Sequence, residues 1–337
     1  MTRGLRGRRR SWVRRGVERR AWAIHRSYGL ATRTRPLFIC LALAVLHQPD
    51  QACAQFTDPR TYENAPVGTN QIELGYAYAR ANTSIDTSLV VAGAQLDLHE
   101  GTLGYTRYFG WLHRVMWVEA AIPFARLGGS IGGTNIHGST GGAGDSSYAV
   151  SMLLKGGPAL SEAQFEGYTP RTTLGVSVAV TAPTGSYDPA RILNLGADRW
   201  SFKPEIALSH PFGPGHKWAF DVYGNVYWYT DNTSYRGREV LRQEPLVGLE
   251  AHISYSFSDR IWTSLDTRYS GRAATLIDGV NQNNPQQNFV LGSETNISLT
   301  PRSSLVVAFG KALVHRNGPA VTGVAVKYDY TWGTGGT

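Results

Sequence analysis

From residue 70 onward, apolar and polar side chains take turns along the chain. Trp218, Phe220, Val222, Val226 and Trp228 fall on one face of a segment whose other face holds Asp221, Tyr223, Asn225, Tyr227 and Tyr229. Ile261, Thr263, Leu265 and Tyr269 oppose Trp262, Ser264, Asp266 and Arg268, and Leu249, Ala251, Ile253, Tyr255 and Phe257 oppose Glu250, His252, Ser254 and Ser256. Leu174, Val176, Val178 and Val180 oppose Thr173, Gly175, Ser177 and Ala179. A period of two, bounded by Gly, Pro, Asn and Asp clusters, predicts strands with two unlike faces. Twelve such segments are predicted, with cores at 71–80, 95–108, 114–124, 147–155, 172–182, 200–210, 217–230, 245–257, 261–270, 288–299, 304–313 and 322–332. Each is close to the ~9–11 residues that a tilted strand needs to cross a bilayer. The second is the least regular, because its alternation slips around Gly101.

The connections alternate in length. Short ones lie around Gly110, Pro214, Ser258-Asp259 and Pro301; long polar ones run over 82–94, 126–146, 183–199, 231–243 and 272–287. Short inner turns and long external loops are the pattern of an outer-membrane barrel. An even strand count places both chain ends on the periplasmic side. Two connections break the rule: 156–170 is long on the short side, with a small helix expected over Ser161–Tyr168, and His315–Pro319 is short on the long side. The glycine-rich stretch Gly128–Gly144 lacks the ending of a phosphate loop and reads as a flexible external loop.

Aromatic residues collect near the predicted strand ends: Tyr105, Tyr108, Phe109, Trp111, Trp117, Trp200, Trp218, Trp228, Trp262 and Trp332. Rings at headgroup level would form the girdles of a membrane barrel. A soluble β-sandwich or jelly roll also alternates and is the competing fold. The final strand separates the two. Val324, Val326, Tyr328, Tyr330 and Trp332 alternate to the end, resembling the signal read by the barrel-insertion machinery, although the tail Gly333–Thr337 follows the last aromatic. A spanning chain must satisfy its backbone internally, so only helices or a closed barrel serve. No stretch after residue 54 approaches the length of a spanning helix. The fold expected is all-β: a transmembrane, antiparallel, up-and-down barrel of about twelve strands over 70–332, preceded by a periplasmic segment over 55–69 and followed by a tail over 333–337.

The first 54 residues differ from the rest. They hold 12 Arg, then an apolar run from Leu37 to Leu46, then Ala52-Cys53-Ala54. This order reads as a basic leader and signal peptide cut between Ala54 and Gln55. Asp50 stands three residues before Cys53, where a lipoprotein would need an apolar residue. Of the 33 basic and 25 acidic residues in the chain, 21 and 23 remain after residue 54, a net charge of −2. The basic pI therefore belongs to the leader, and no nucleic-acid partner is implied. Both cysteines, Cys40 and Cys53, also fall in the leader. Export without disulfides suits a barrel, whose hydrogen-bonded ring replaces covalent staples.

The polar faces are candidate lumen linings. They carry Lys203, Glu205, Asp221, Glu250, His252, Asp266, Arg268, Glu294, Lys327 and Asp329, with Asn225 and the rings of Tyr223, Tyr227, Tyr229 and Trp262 on the same side. Mixed charge predicts either a network that plugs the barrel or a path of weak ion selectivity; single-sign rings would have meant an ion-selective pore. The rings suit apolar or aromatic solutes, or simple filling of a narrow lumen. A one-residue shift in register would move all of them to the lipid face. No G-x-S-x-G, H-E-x-x-H or spaced Cys/His cluster occurs, so no enzyme, metal or cofactor is expected. A barrel hydrolase would have to be built around His252. Asp188, Asp198 and Asp231 read as solvated loop acids rather than cation ligands.

The stretch APTGSYDPARILNLGADRWSFKPEIALSHPFG (182–213) resembles the signature of the MetA-pathway phenol-degradation family of outer-membrane transporters. WYTDNTSYRG (228–237), QEPL (243–246), SLDTRYS (264–270), DGVNQNNPQQN (278–288) and the opening DPRTYENAPVGTNQIELGY (58–76) are similar as well. The resemblance implies a barrel transporter near aromatic-degradation genes, with no catalytic residues to carry over. Polar positions inside the matching stretches become candidate path or gating residues: Asn194, Arg199, Asp231, Asn232 and Glu244 in loops, and Lys203, Glu205, Asp221 and Asp266 in strands. The expected function is a passive outer-membrane channel for small apolar or aromatic solutes, with lipid and the insertion machinery as partners. The alternative is a closed barrel filled by its own side chains and the 183–199 loop.

Overall fold

The computed structural model describes residues 57–82, 94–131, 137–191 and 193–333. The expected leader, its cleavage site, most of the 82–94 connection and the last four residues lie outside them. Within the described residues the strands are β1 (Thr69–Ala81), β2 (Ala94–Trp111), β3 (Arg114–Ile131), β4 (His137–Ala143), β5 (Ser146–Lys155), β6 (Thr173–Ala182), β7 (Ser201–Phe212), β8 (Trp218–Tyr229), β9 (Asn232–Tyr235), β10 (Glu239–Gln243), β11 (Leu246–Ser258), β12 (Ile261–Arg272), β13 (Thr275–Ile277), β14 (Val280–Asn281), β15 (Gln286–Thr300), β16 (Ser303–Arg316) and β17 (Val321–Gly333). Twelve of them, β1–β3, β5–β8, β11, β12 and β15–β17, form one antiparallel ring. It closes because β1 pairs with β17 on one side and β2 on the other, and β2 with β3. A closed ring leaves no edge, so every ladder group can be paired inside lipid. Among the described residues no helix is long and apolar enough to cross a membrane.

The two faces match the alternation. Outward, Leu74, Leu249 and Leu265 are 54%, 53% and 52% exposed. Inward, Asp221, Glu250 and His252 are 0%, 0% and 1% exposed. An exterior of bare Leu, Val, Ile and Phe surrounding buried acids inverts a water-soluble protein and fits a lipid solvent.

Four local features depart from the sequence reading. The slip near Gly101 is a change of surroundings rather than of register: β2 pairs continuously with β3 from Ala94 to Trp111. In its upper part the inward side turns apolar because Leu96 packs with Leu127 and with Leu195 of the 183–199 loop. The expected flexible loop over 128–144 is partly a hairpin, since β3 runs on to pair with β4. The loops after β8 and β12 contribute β9, β10, β13 and β14, a separate four-stranded sheet. Trp117 and Tyr108, expected in a girdle, stack together on the inner wall, with Trp117 1% exposed.

The small helix expected in the 156–170 connection is present as α1 (Glu162–Phe165), with Ser161 and Gln164 forming a capping box. This connection meets the chain's own start: Val67 N donates to Leu160 O at 2.8 Å and Asn64 Nδ2 to Pro158 O at 3.2 Å. Residues 57–62, expected beneath the barrel, run inside it.

Candidate functional site

The inner wall is uneven. The inward sides of β7, β8, β11 and β12 carry Lys203, Glu205, Asp221, Tyr223, Asn225, Glu250, His252, Asp266 and Arg268. On β15, β16, β1, β2, β3, β5 and β6 small inward residues such as Gly292, Ala308, Gly75, Thr102, Ala121, Ala149 and Ser177 are interspersed with Glu294, Glu73, Glu100 and Glu119, and β17 adds Lys327 and Asp329.

The β7–β12 wall holds residues 57–62. Residues 59–62 form a turn without a sheet partner, so the N–H groups that the turn leaves over must find other acceptors, and inward carboxylates supply two. Thr57 N donates to Glu250 Oε2 at 3.0 Å, and Arg60 N to Asp221 Oδ2 at 3.2 Å. Thr57 Oγ1 donates to Glu205 Oε2 at 2.9 Å and accepts from Lys203 Nζ at 2.8 Å. Asn225 Nδ2 bridges Glu205 and Glu250 at 3.1 and 3.0 Å. Arg60 Nε donates to Ser254 Oγ at 2.8 Å, and its guanidinium sits 4.8 Å from the centre of the Trp262 ring. Asp58 reaches across the lumen to pair with Lys327, which lies 3.9 Å from Glu294.

Tyr62 anchors the segment. Its hydroxyl donates to Glu205 Oε1 at 2.8 Å, and its ring meets Trp117 and Tyr223 at centroid distances of 5.6 and 5.3 Å. The wall opposite the ring must be bare: a Cβ at Gly175 would stand 2.2 Å from Tyr62 Cδ1. A glycine in the middle of a strand here makes room for a close approach.

The remaining predicted lumen residues join the same network. His252 Nδ1 and Asp266 Oδ1 are 2.8 Å apart, and Ser264 Oγ donates to Asp266 Oδ2 at 3.0 Å. Arg268 lies 3.9 Å from Glu250 and faces the Tyr227 ring at 5.8 Å, as does Lys203. Between the segment and the far wall lies a small, partly open cavity bordered by Asp58, His252, Asp266, Gly292, Glu294, Ala308 and Gly310.

The five loop candidates separate into two groups. Arg199 and Asn232 are buried: Arg199 donates to Gln243 at 2.7 Å and lies 4.4 Å from the Tyr229 ring, while Asn232 donates to Tyr187 Oη and Ala197 O. They fasten the 183–199 loop to β9, β10 and the end of β8. Asn194 organises that loop internally, accepting from Asp188 N and donating to its carbonyl. Asp231 and Glu244 are not part of the buried group. Glu244 is exposed, and Asp231 receives two hydrogen bonds from Arg242, which hold its carboxyl below the usual value. Asp188 and Asp198 also have partners, in Arg191 and Ser234. Thr57, Asp58, Arg60, Tyr62 and Gln243 were not among the candidates. The only signal for Asp58, Arg60 and Tyr62 was their place in the opening motif at 58–76, and Thr57 stands just before it.

A closed twelve-stranded barrel with an apolar exterior and a polar interior defines an outer-membrane β-barrel protein. The chain belongs to the family described as "Putative MetA-pathway of phenol degradation", which matches residues 79–328. An outer membrane channel from Pseudomonas putida F1 has a similar fold: TM-score 0.70 and 24% identity, covering 82% of this chain and 100% of that one. The β domain of the Bordetella autotransporter BrkA gives a TM-score of 0.48 and 10% identity over 79% of this chain and 100% of that one. No curated protein sequence matches.

Proposed function

We propose that the protein is a passive channel for small apolar or aromatic solutes, passing along the small-residue side of the lumen and restricted by residues 57–62. One observation carries this reading: the unevenness of the inner wall. The charged half is occupied by the docked segment. The side lined by Gly292, Ala308 and Gly310 leaves a cavity beside residues 57–59, bordered also by His252, Asp266 and Glu294. Pockets for small apolar ligands combine such surfaces with a few fixed polar groups, which Asp58, His252, Asp266 and Glu294 supply here.

Single-channel recording tests this. A small ionic current is expected, blocked by benzoate or benzyl alcohol and unaffected by a sugar of similar size. Equal block by both would remove the preference for aromatic solutes. No current, and no entry of any small solute, would favour the closed barrel. The many bonds from residues 57–62 to the wall are what speak for that second reading.

A further inference from the structure

The lipid-facing surface is also uneven. Among the described residues, the outer halves of β5–β8, β11, β12 and β15 turn no Asp, Glu, Lys or Arg outward. The outer parts of β16, β1, β2 and β3 turn out Lys311, Arg80, Asp97, His99 and Arg126, all at least partly exposed. Pairing brings them together. Arg126 is opposite His99, and Arg80 is opposite Asp97. Arg80 and Lys311 flank Thr322 from either side of β17, so their backbones are about 10 Å apart. The single acid is already engaged, accepting from Tyr78 Oη at 2.6 Å and Arg80 Nε at 3.1 Å. Tyr76 Oη lies 2.8 Å from His99 Nδ1. Among the described residues the patch holds three Lys or Arg against one acid, with Arg316 further out on β16, and is net positive.

Two residues along β2 from His99, toward the middle of the barrel, is Gly101, which also faces outward. Its neighbours across the two ladders are Tyr76 and Phe124, with 52% and 56% of their surface exposed. A Cβ at Gly101 would find nothing nearer than two backbone oxygens at 3.9 Å. The result is a notch between two rings, next to His99 on the side toward the middle of the barrel.

A basic residue on the lipid face costs ~2–4 kcal/mol at the bilayer midplane and falls to ~0–1 near the headgroups. Three on alternate strands, β16, β1 and β3, on one side of the barrel only, call for an anionic partner at that level. We propose that Arg80, Arg126, Lys311 and His99 bind the phosphate groups of an outer-leaflet glycolipid, with one acyl chain in the Gly101 notch. Arginine suits phosphate because its planar fork donates two parallel hydrogen bonds.

Native mass spectrometry of the folded barrel in detergent, titrated with bis-phosphorylated lipid A and with its dephosphorylated form, tests the assignment. The phosphorylated lipid is expected to bind preferentially. A double substitution, Arg126→Gln with Lys311→Gln, should weaken it roughly 25-fold, from about fivefold per basic residue at a charged lipid surface. Arg126→Lys with Lys311→Arg should retain binding, and Gly101→Leu should reduce it with the charges intact. Heat-dependent gel mobility verifies that each variant is folded. Equal binding of both lipids, or unchanged binding by the double glutamine variant, overturns the proposal. So does a dimer of the chain that the double variant dissolves, since the patch would then serve a second copy.

Discussion

On β7, β8, β11 and β12 the lumen is lined by Glu205, Asp221, Tyr223, Glu250, His252 and Asp266; on β15, β16, β17 and β1, the small residues Gly292, Ala308, Gly310, Ala325 and Ala77 are interspersed with Glu294, Lys327, Asp329 and Glu73. Both stretches have the same alternation and the same sealed ladder. They differ in what their inward side chains require. Buried carboxylates need donors, and leaving one unpaired costs several kcal/mol. The docked segment brings those donors: two backbone N–H groups, the Thr57 hydroxyl and the Tyr62 hydroxyl. Small residues require nothing and leave space. The β7–β12 half thus makes most of the contacts to the segment, Lys327 on the other half pairs with Asp58, and the small residues there leave a cavity beside it.

Three changes test this division, the strongest first. Tyr62→Ala removes a buried ring, a loss of ~3–5 kcal/mol in a packed site, together with the hydrogen bond to Glu205. It should release residues 57–62 from the wall, raise single-channel current severalfold and expose the segment to protease. An unchanged current would mean that the segment does not restrict the lumen. Ala308→Phe acts on the other half. Overpacking a filled core costs ~1–3 kcal/mol, but a side chain entering open space should cost little. Current should fall while the heat-modified gel shift stays at the same temperature; a large loss of stability would show that this half is packed rather than open.

The smallest effect lies outside the lumen and serves as a control. Hydrogen bonds from Arg242 depress the Asp231 titration below its ordinary 3.8. Their contribution is therefore complete above that value and lost as pH falls through the depressed one. Exposed pairs contribute little and are screened by salt. Amide exchange in β9 and β10 should speed up only at that acidic limit, with no change at Tyr62. Release of the N-terminal segment in the same step would tie the outer loops to the lumen and break the separation between them.

Most of the barrel could be read before any coordinates. All twelve predicted cores lie on the twelve barrel strands, and Lys203, Glu205, Asp221, Tyr223, Asn225, Glu250, His252, Asp266 and Arg268 face inward as the alternation places them. Period two is a local property. Successive residues of a strand point to opposite sides whatever the rest of the chain does, so the faces follow once lipid is assigned to the apolar one. Trp117 shows the limit. Its indole reads as a girdle ring, yet the register of β3, with Val118 and Ile122 outward, puts it on the inward face, where Tyr62, 55 residues earlier in the chain, meets it.

What the tertiary structure alone decided is which distant groups share the lumen. Thr57 meets Glu250 across 193 residues, Tyr62 meets Glu205 across 143, and Asp58 meets Lys327 across 269. No periodicity marks residues 57–68, which carry few apolar side chains and make no barrel strand; only closure of the ring creates the pocket that receives them. The sequence by itself determined the strands, their two faces and the membrane as solvent, because each depends on neighbours two residues apart. The occupant of the lumen, and the side on which space remains, depend on contacts between opposite walls that exist only once the sheet has closed.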